Sequence, residues 1–352
     1  MKGIILHGGY GTRLRPLTYS RPKQLLPIAN IPMSQYGLSS LAKSGISEIA
    51  VIIGGENSNK VKEYYKNGDQ FNVKITYVYQ DEPKGISHAI SLCKDFVGNE
   101  KFVVFLGDNI LVKEISEYVE DFKKSNDDGK ILLCEVSNPQ QFGVIDLNPD
   151  GSIKKIMEKP KDPPTNLAVI GVYFLTPKFF EIITNLKPSA RGELEITDAL
   201  QLLLDSDCKI SYNKITNYWK DTGTPSDIID ANNTILLQMK SYFLGTKEEN
   251  VQLSEPSMVG TGTKLQNGVK IIGPVLIGNN CTIGPNVTIG PNVSIGDNVS
   301  IKNSDIDNSI IMTDCKIDSK IHISHSIVPY RSEISSSSKT NLILSDDSKI
   351  SL

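Results

Sequence analysis

The sequence predicts an α/β domain followed by a domain of parallel-strand repeats, and three observations predict it. Residues 1 to about 235 alternate short apolar runs with helix-like runs. From near Gly245 aliphatic residues recur at every sixth position. The chain has 352 residues, enough for two domains. In the first region "GIILHGG", "EIAVIIGG", "KITYVYQ" and "KFVVFLGD" are rich in β-branched and aromatic residues. Helix-like stretches at 33–44, 58–67 and 86–96 separate them. This alternation reads as βαβ units around a mostly parallel sheet. Parallel strands covered on both faces read as near-continuous apolar runs, as these do. After Lys130 the runs "KILLCEV", "GVIDLN", "SIKKIME" and "LAVIGVYFL" have fewer helices between them. Part of the sheet is therefore expected to be mixed, with an inserted subdomain.

The repeat is carried by Leu253, Val259, Leu265, Ile271, Ile277, Ile283, Ile289, Ile295 and Ile301. A second series, Val269, Val275, Cys281, Val287, Val293 and Val299, keeps the same spacing, and "IGPNVTIGPNVSIGDNVS" displays the unit. The register slips after Ile301 and resumes at Ile311, Ile317 and Ile323. No helix repeats every six residues. A parallel β-helix with three short strands per turn does, with the aliphatic residue pointing inward. The expected domains are 1–240, a linker at 241–252, and the repeat domain with its tail at 253–352.

Composition bounds the function. Hydrophobic residues make up 39% and charged residues 22%, which supports a packed core and argues against disorder. The net charge of −3 is unlike that of a bulk nucleic-acid binder. The five cysteines (Cys93, Cys134, Cys208, Cys281 and Cys315) are odd in number, widely spaced and lack a CxxC, so neither a zinc site nor a disulfide framework is expected. The apolar start "IIL" is too short for a signal peptide. No run approaches the ~18 apolar residues of a membrane span, so no membrane partner and a cytoplasmic location are expected.

One loop points to chemistry. After the first strand come Gly8, Gly9 and Gly11, then Arg13, Arg15 and Lys23. The P-loop pattern GxxxxGK[ST] is absent, and Leu14 stands where the dinucleotide fingerprint needs its third glycine. The physical ingredients of an anion cradle remain: glycines that allow close backbone approach, N–H groups and fixed positive charge. On the loop alone, an anion cradle and a tight turn with solvated arginines both fit.

"GGYGTRLRPLT…RPKQLLPI" resembles the G-x-G-T-R-L-x-P-x-T…K signature of the sugar-nucleotide pyrophosphorylase family. "RPKQLLP" is most like its long-form glucose-1-phosphate thymidylyltransferase branch. The resemblance continues, in the family's order, through "QDEPKGISHA", "FLGDN", "FGV", "MEKPKDPPTNLAVIGVYF", "RGELEITDA" and "WKDTGTP", and covers residues 1 to about 235. It implies a Rossmann-like nucleotidyltransferase domain with a mixed, mostly parallel sheet and a C-terminal left-handed parallel β-helix. It also implies transfer of a thymidylyl group from dTTP to glucose 1-phosphate, giving dTDP-glucose and pyrophosphate. UTP in place of dTTP is the near alternative. A non-catalytic nucleotide-sugar-binding subunit is the distant one. Magnesium is the implied cofactor, and a homo-oligomer is expected.

The resemblance also implies roles. Arg13, Lys23, Asp108, Lys159 and Asp221 match the catalytic set, with Asp108 and Asp221 as magnesium ligands. Leu6, Gly8, Gly9, Gly11, Thr12, Arg13, Gln80, Gly85 and Asp108 match the nucleotide side. Gly143, Glu158, Lys159, Asn166, Val169, Tyr173 and Arg191 match the sugar-phosphate side. Glu193, Glu195 and Asp198 are read as structural, Arg15 as a structural or rim charge, and the single tryptophan, Trp219, as core. His7 and His88 depart from the family pattern. His7 is read as space-filling and the role of His88 is left open. His322 and His325 lie among irregular repeats, and acyl transfer is not expected of them.

Overall fold

The computed structural model of the chain describes residues 1–335 apart from Glu56 and Asn217. The chain divides into two compact units, Met1–Pro27 with Ile31–Ile228, and Ile28–Asn30 with Ile229 onward.

The first unit is built on a nine-stranded sheet: β1 (Lys2–Leu6), β2 (Glu48–Ile53), β3 (Lys74–Tyr79), β4 (Phe102–Leu106), β5 (Gly129–Glu135), β6 (Gly143–Leu147), β7 (Ile153–Glu158), β8 (Leu167–Leu175) and β9 (Ile210–Lys214). The order is β7-β6-β8-β4-β1-β2-β3, with β5 paired to β8 and to β9. β1, β2, β3 and β4 pair in parallel, as do β5 and β9. β8 runs against β4, β5 and β6, and β7 runs against β6. Seven strands therefore point one way, and β7 and β8 the other. The mixed half begins where the sequence texture changes. The strand β9, "ISYNK", is not among the runs the sequence reading singled out, because it is half-buried and carries only two strong strand formers.

The continuous apolar runs have a simple cause. Successive strand residues face opposite sides, so a strand with two covered faces needs apolar residues throughout. Ile4, Phe102 and Val104 pack in one apolar cluster, while Ile5, Val103 and Phe105 pack in the other. The helix Met33–Lys43 contributes Leu38 and Leu41 to the second cluster. The expected helix at 86–96 is broken into Ile86–Ser91 and Lys94–Val97. Because β1 and β4 are parallel neighbours, the Gly8-Gly9 loop and Asp108 leave the sheet at the same edge. The Gly107 N–H donates to the Leu6 carbonyl at 3.0 Å and ties the two strand ends together.

In the second unit, short strands stack in parallel at an eighteen-residue step: Val275 lies opposite Ser257, and Val293 opposite Val275. After Ile301 the step shortens, with Ile310 opposite Ser294 and Ile327 opposite Ile310. The aliphatic series is the core: Val259 through Ile301 at every sixth place is buried, as is the Val269–Val299 series. Asn280, Asn286, Asn292 and Asn298 sit in left-handed turns, a conformation asparagine tolerates better than other side chains. Their amides stack: Asn286 donates to Asn303, Asn292 to Asn308 and Asn298 to Asp314. Residues 241–252, expected as a linker, contain Tyr242–Phe243 and Thr246–Lys247, each paired in parallel with the next turn of strands. No helix among the described residues is long and apolar enough to cross a membrane, and all five cysteines are unpaired.

Candidate functional site

The glycine loop is shaped by its own contacts. Gly11 has φ +61°, and the Thr18 hydroxyl donates to its carbonyl at 2.8 Å. The loop then folds through short turns at Thr12–Leu14, Leu17–Tyr19 and Lys23–Leu25. These turns bring Lys23 back to the end of β4, where its ammonium donates to Asp108. Burial opposes the charge on both groups. The attraction between them wins, holding the Asp108 carboxyl below and the Lys23 ammonium above their usual ranges.

A two-strand ribbon brings in the second carboxylate. Asn109–Leu111 pairs antiparallel with Trp219–Asp221, and Asp221 stands opposite Asn109. The Thr222 N–H and hydroxyl both donate to the Asp108 carbonyl, at 3.0 and 2.6 Å. The Asp221 carboxyl is pushed up to about 6, first by burial and then by repulsion from Asp108, with Lys23 and Arg13 offsetting part of this. Gly223 packs on Arg13: a Cβ there would lie 3.2 Å from the guanidinium. Residues more than a hundred positions apart thus place two carboxylates and two cations in one cluster.

Two cavities flank this cluster. One, of about 190 Å³, is lined by Leu6, Gly8, Gly9, Gln80, Gly85 and Asp108 of the expected nucleotide set, and also by Gln24 and Glu193. The other, of about 790 Å³, is lined by Arg13, Lys159 and Asp221 with Phe142, Trp219 and Asp227. Gly11 and Thr12 shape the loop rather than line the first cavity.

The expected sugar-phosphate residues are only partly assembled. Gly143 and Glu158 face each other across β6 and β7. Glu158 is held by the Thr197 hydroxyl at 2.9 Å and by Arg191 at 2.9 Å, and Lys159 lies 3.5 Å away. Arg191 also donates to Glu195, which accepts from the Ser189 hydroxyl as well. Glu195 is thus a structural anchor, whereas Glu193, also read as structural, reaches the smaller cavity. Val169 and Tyr173 are buried in β8. Burial pushes the Tyr173 phenol up, and the carboxylates of Glu158, Asp108 and Asp221 reinforce the shift. Asn166 is exposed, its carbonyl accepting from the Val136 N–H.

Some residues escaped the sequence reading. Trp219 packs against the core and also lines the larger cavity. Its indole N–H donates to Asn109 Oδ1 at 2.7 Å, and Asn109 Nδ2 donates to Asp108 Oδ1 at 3.0 Å. Gln24 Nε2 donates to the Gly8 carbonyl at 3.0 Å and steadies the loop. The sequence gives no signal for these pairings except that Gln24 and Asn109 directly follow matched residues. His7 is buried edge-on to Tyr65, with neither ring nitrogen hydrogen-bonded, and burial lowers its pKa to about 3. Burial thus favours the uncharged ring, which also lines a further cavity with Gly9, Tyr10 and Arg15. Arg15 is exposed, with its guanidinium over the Tyr19 ring.

The nucleotidyl transferase family matches residues 2–238, and a GMPPB C-terminal domain matches residues 271–351. The low-salt glycan biosynthesis nucleotidyltransferase Agl11 of Haloferax volcanii is 46% identical over 236 residues, 67% of this chain and 66% of its own. The chain thus spans just under two thirds of that relative's length. The glucose-1-phosphate thymidylyltransferase of Streptomyces antibioticus is 39% identical over 279 residues, 79% of this chain and 78% of its own. A crystal structure of UDP-glucose pyrophosphorylase complexed with UDP-glucose aligns with TM-score 0.61 at 30% identity, covering 68% of this chain and 99% of that one.

Proposed function

We propose that this chain, which belongs to the nucleotidyl transferase family, transfers a thymidylyl group from dTTP to glucose 1-phosphate. A phosphate oxygen of the sugar 1-phosphate attacks the α-phosphorus. The bond from that phosphorus to the bridging oxygen breaks, and pyrophosphate leaves. No covalent enzyme intermediate is needed, so the protein's task is positioning and charge neutralisation. The observation that carries this reading is the ribbon pairing that sets Asp221 beside Asp108, with Lys23 and Arg13 around them and a cavity on either side.

Nucleotidyltransferases of this family generally use a divalent metal, and the residues fit one. Asp108 and Asp221 are hard oxygen donors. Burial first, and then the neighbouring Asp108 carboxylate, raise the Asp221 carboxyl, and Lys23 and Arg13 offset only part of this. These two carboxylates would hold magnesium, whose chemistry there is neutralisation of phosphate charge. Arg13 offers a planar fork to the charge that moves onto pyrophosphate. Lys23 acts as a point charge beside Asp108. Lys159 faces the larger cavity, where it would bind the sugar phosphate. Glu158, oriented by Thr197 and Arg191, would accept from sugar hydroxyls. The small cavity suits a pyrimidine ring, with Gln80 at its edge.

In this reading residues 1–240 form the catalytic domain and 253–352 a left-handed β-helix domain, with 241–252 between them. The six-residue spacing and the eighteen-residue pairing step support a β-helix.

UTP is the second reading, favoured by the UDP-glucose-bound neighbour. A single methyl separates thymine from uracil, worth about 1–3 kcal/mol in an apolar pocket. Pyrophosphate release from protein given glucose 1-phosphate, magnesium and each of dTTP, UTP, ATP, GTP and CTP tests both. Release should be fastest with dTTP and should stop with EDTA. Faster release with UTP would establish the second reading. Release confined to ATP or GTP would overturn both.

A further inference from the structure

His88 lies behind Gln80, away from the lining of the smaller cavity. Gln80 Nε2 is 3.0 Å from His88 Nδ1. The Gln80 amide oxygen faces the glycine loop: it would lie 3.1 Å from a Cβ at Gly8, a residue that lines the cavity. The Gln80 backbone is fixed as well, its N–H donating to the Ile53 carbonyl at 2.8 Å. His88 is itself anchored at the start of the helix Ile86–Ser91, where its carbonyl accepts from the Ser91 hydroxyl at 2.7 Å.

The chemistry of the base edge gives this contact a meaning. Thymine and uracil present a donor, N3–H, between two acceptor carbonyls. Cytosine presents an acceptor, N3, beside a donor amine. A glutamine amide can serve either edge, because turning it by half a turn exchanges its donor and acceptor. An amide free to turn therefore distinguishes the two pyrimidines poorly. An amide whose nitrogen is tied behind the site offers one arrangement only.

We propose that His88 is a positioning residue that locks the Gln80 amide, nitrogen toward the imidazole and oxygen toward the cavity, so that the site accepts an imide base and rejects cytosine. The inference rests on the reading of Gln80 as the base-reading residue. A neutral imidazole with its proton on Nε2 is the required acceptor. Burial, and then the nearby Lys84 ammonium, lower the His88 pKa and favour that form, while Glu82 opposes them.

The test compares kcat/KM for dTTP and dCTP, each with glucose 1-phosphate and magnesium, in the parent protein, His88→Ala and His88→Glu, with thermal melting of each. Removing the acceptor in His88→Ala should narrow the dTTP preference by about tenfold, the worth of one buried hydrogen bond at the upper end of its range. The change should fall more on KM than on kcat. His88→Glu places a group there that can only accept, and should restore the preference. An unchanged preference in His88→Ala, or a loss in His88→Glu as large as in His88→Ala with both variants folded, would overturn the lock. Failure of the parent protein to use either dTTP or UTP would overturn the base reading and the lock together, and it is distinguishable because it precedes any substitution.

Discussion

The two units of this chain use their residues in opposite ways. In the second unit the buried aliphatic residues from Val259 to Ile301 each repeat the job of one eighteen positions away, with strands of the adjoining turns as neighbours. In the first unit no position repeats. Lys23, Asp108 and Asp221 meet only because a long loop, a parallel strand pair and a two-strand ribbon each close correctly. The repeat unit spreads its burial over many like positions and shows no comparable cluster of buried charge among its described residues. The first unit concentrates its chemistry in a few side chains whose substitution need not disturb the core.

That contrast can be broken from either side. The largest effect is expected at Asp221→Asn, which keeps shape and removes charge: kcat should fall roughly 10³-fold, about 4 kcal/mol, with the melting temperature of neither unit lowered. Steady-state pyrophosphate release and calorimetry together would check it. A matching loss of melting temperature would mean that the site and the core are not separable. Next is Ile283→Ala, at a fully buried repeat position. It should cost about 3 kcal/mol of stability through lost burial and a residual cavity, seen in denaturant unfolding, while kcat of folded protein stays near the parent value. Asn292→Ala should cost less, about 1–2 kcal/mol, because alanine resists the left-handed turn (φ +62°) and loses the amide bond to Asn308.

The smallest effect concerns acid. Asp307 is held down to about 2, first by the Ser324 hydroxyl, with further help from Asn308 and His322. A carboxyl lowered on folding adds stability that is present above its unfolded value and is lost as pH falls through its folded value. The melting-temperature difference between parent and Asp307→Ala should therefore hold above about pH 4 and close toward pH 2. Because this carboxyl is one-fifth exposed, at 20%, and its partner His322 is exposed, added salt should shrink the difference. A difference that persists at pH 2 would assign the effect to packing.

The repeat unit was legible because its forces are local and periodic: an aliphatic residue at every sixth place names its own burial, and the asparagine before it names its own turn. The shortened step after Ile301 was visible too, as the slip in the same series. Less is legible where the region carries no period. Residues 241–252 read as a linker because the aliphatic series starts at Leu253, yet Tyr242–Phe243 already pairs as a strand.

Within the first unit the sequence alone carried the central strands, since a strand covered on both faces has to be apolar throughout. It also carried the loop's glycines and cations and, through motif order, drew Asp108 and Asp221 together as candidates. Tertiary structure alone decided what those groups touch. Trp219 looks like core from its composition, and only the ribbon turns its indole toward Asn109 and so toward Asp108. Arg191 carries no mark that it will hold Glu158, nor His88 that it will meet Gln80. The physical reason is that these contacts join side chains of different elements. Strand formation and turn preference are set within a few residues, where the chain's own periodicity records them. A hydrogen bond between side chains on different elements, eight positions apart for Gln80 and His88 or 110 for Asn109 and Trp219, depends on how those elements pack and on angles to within a few tens of degrees. No pattern along the sequence records these before the sheet has closed.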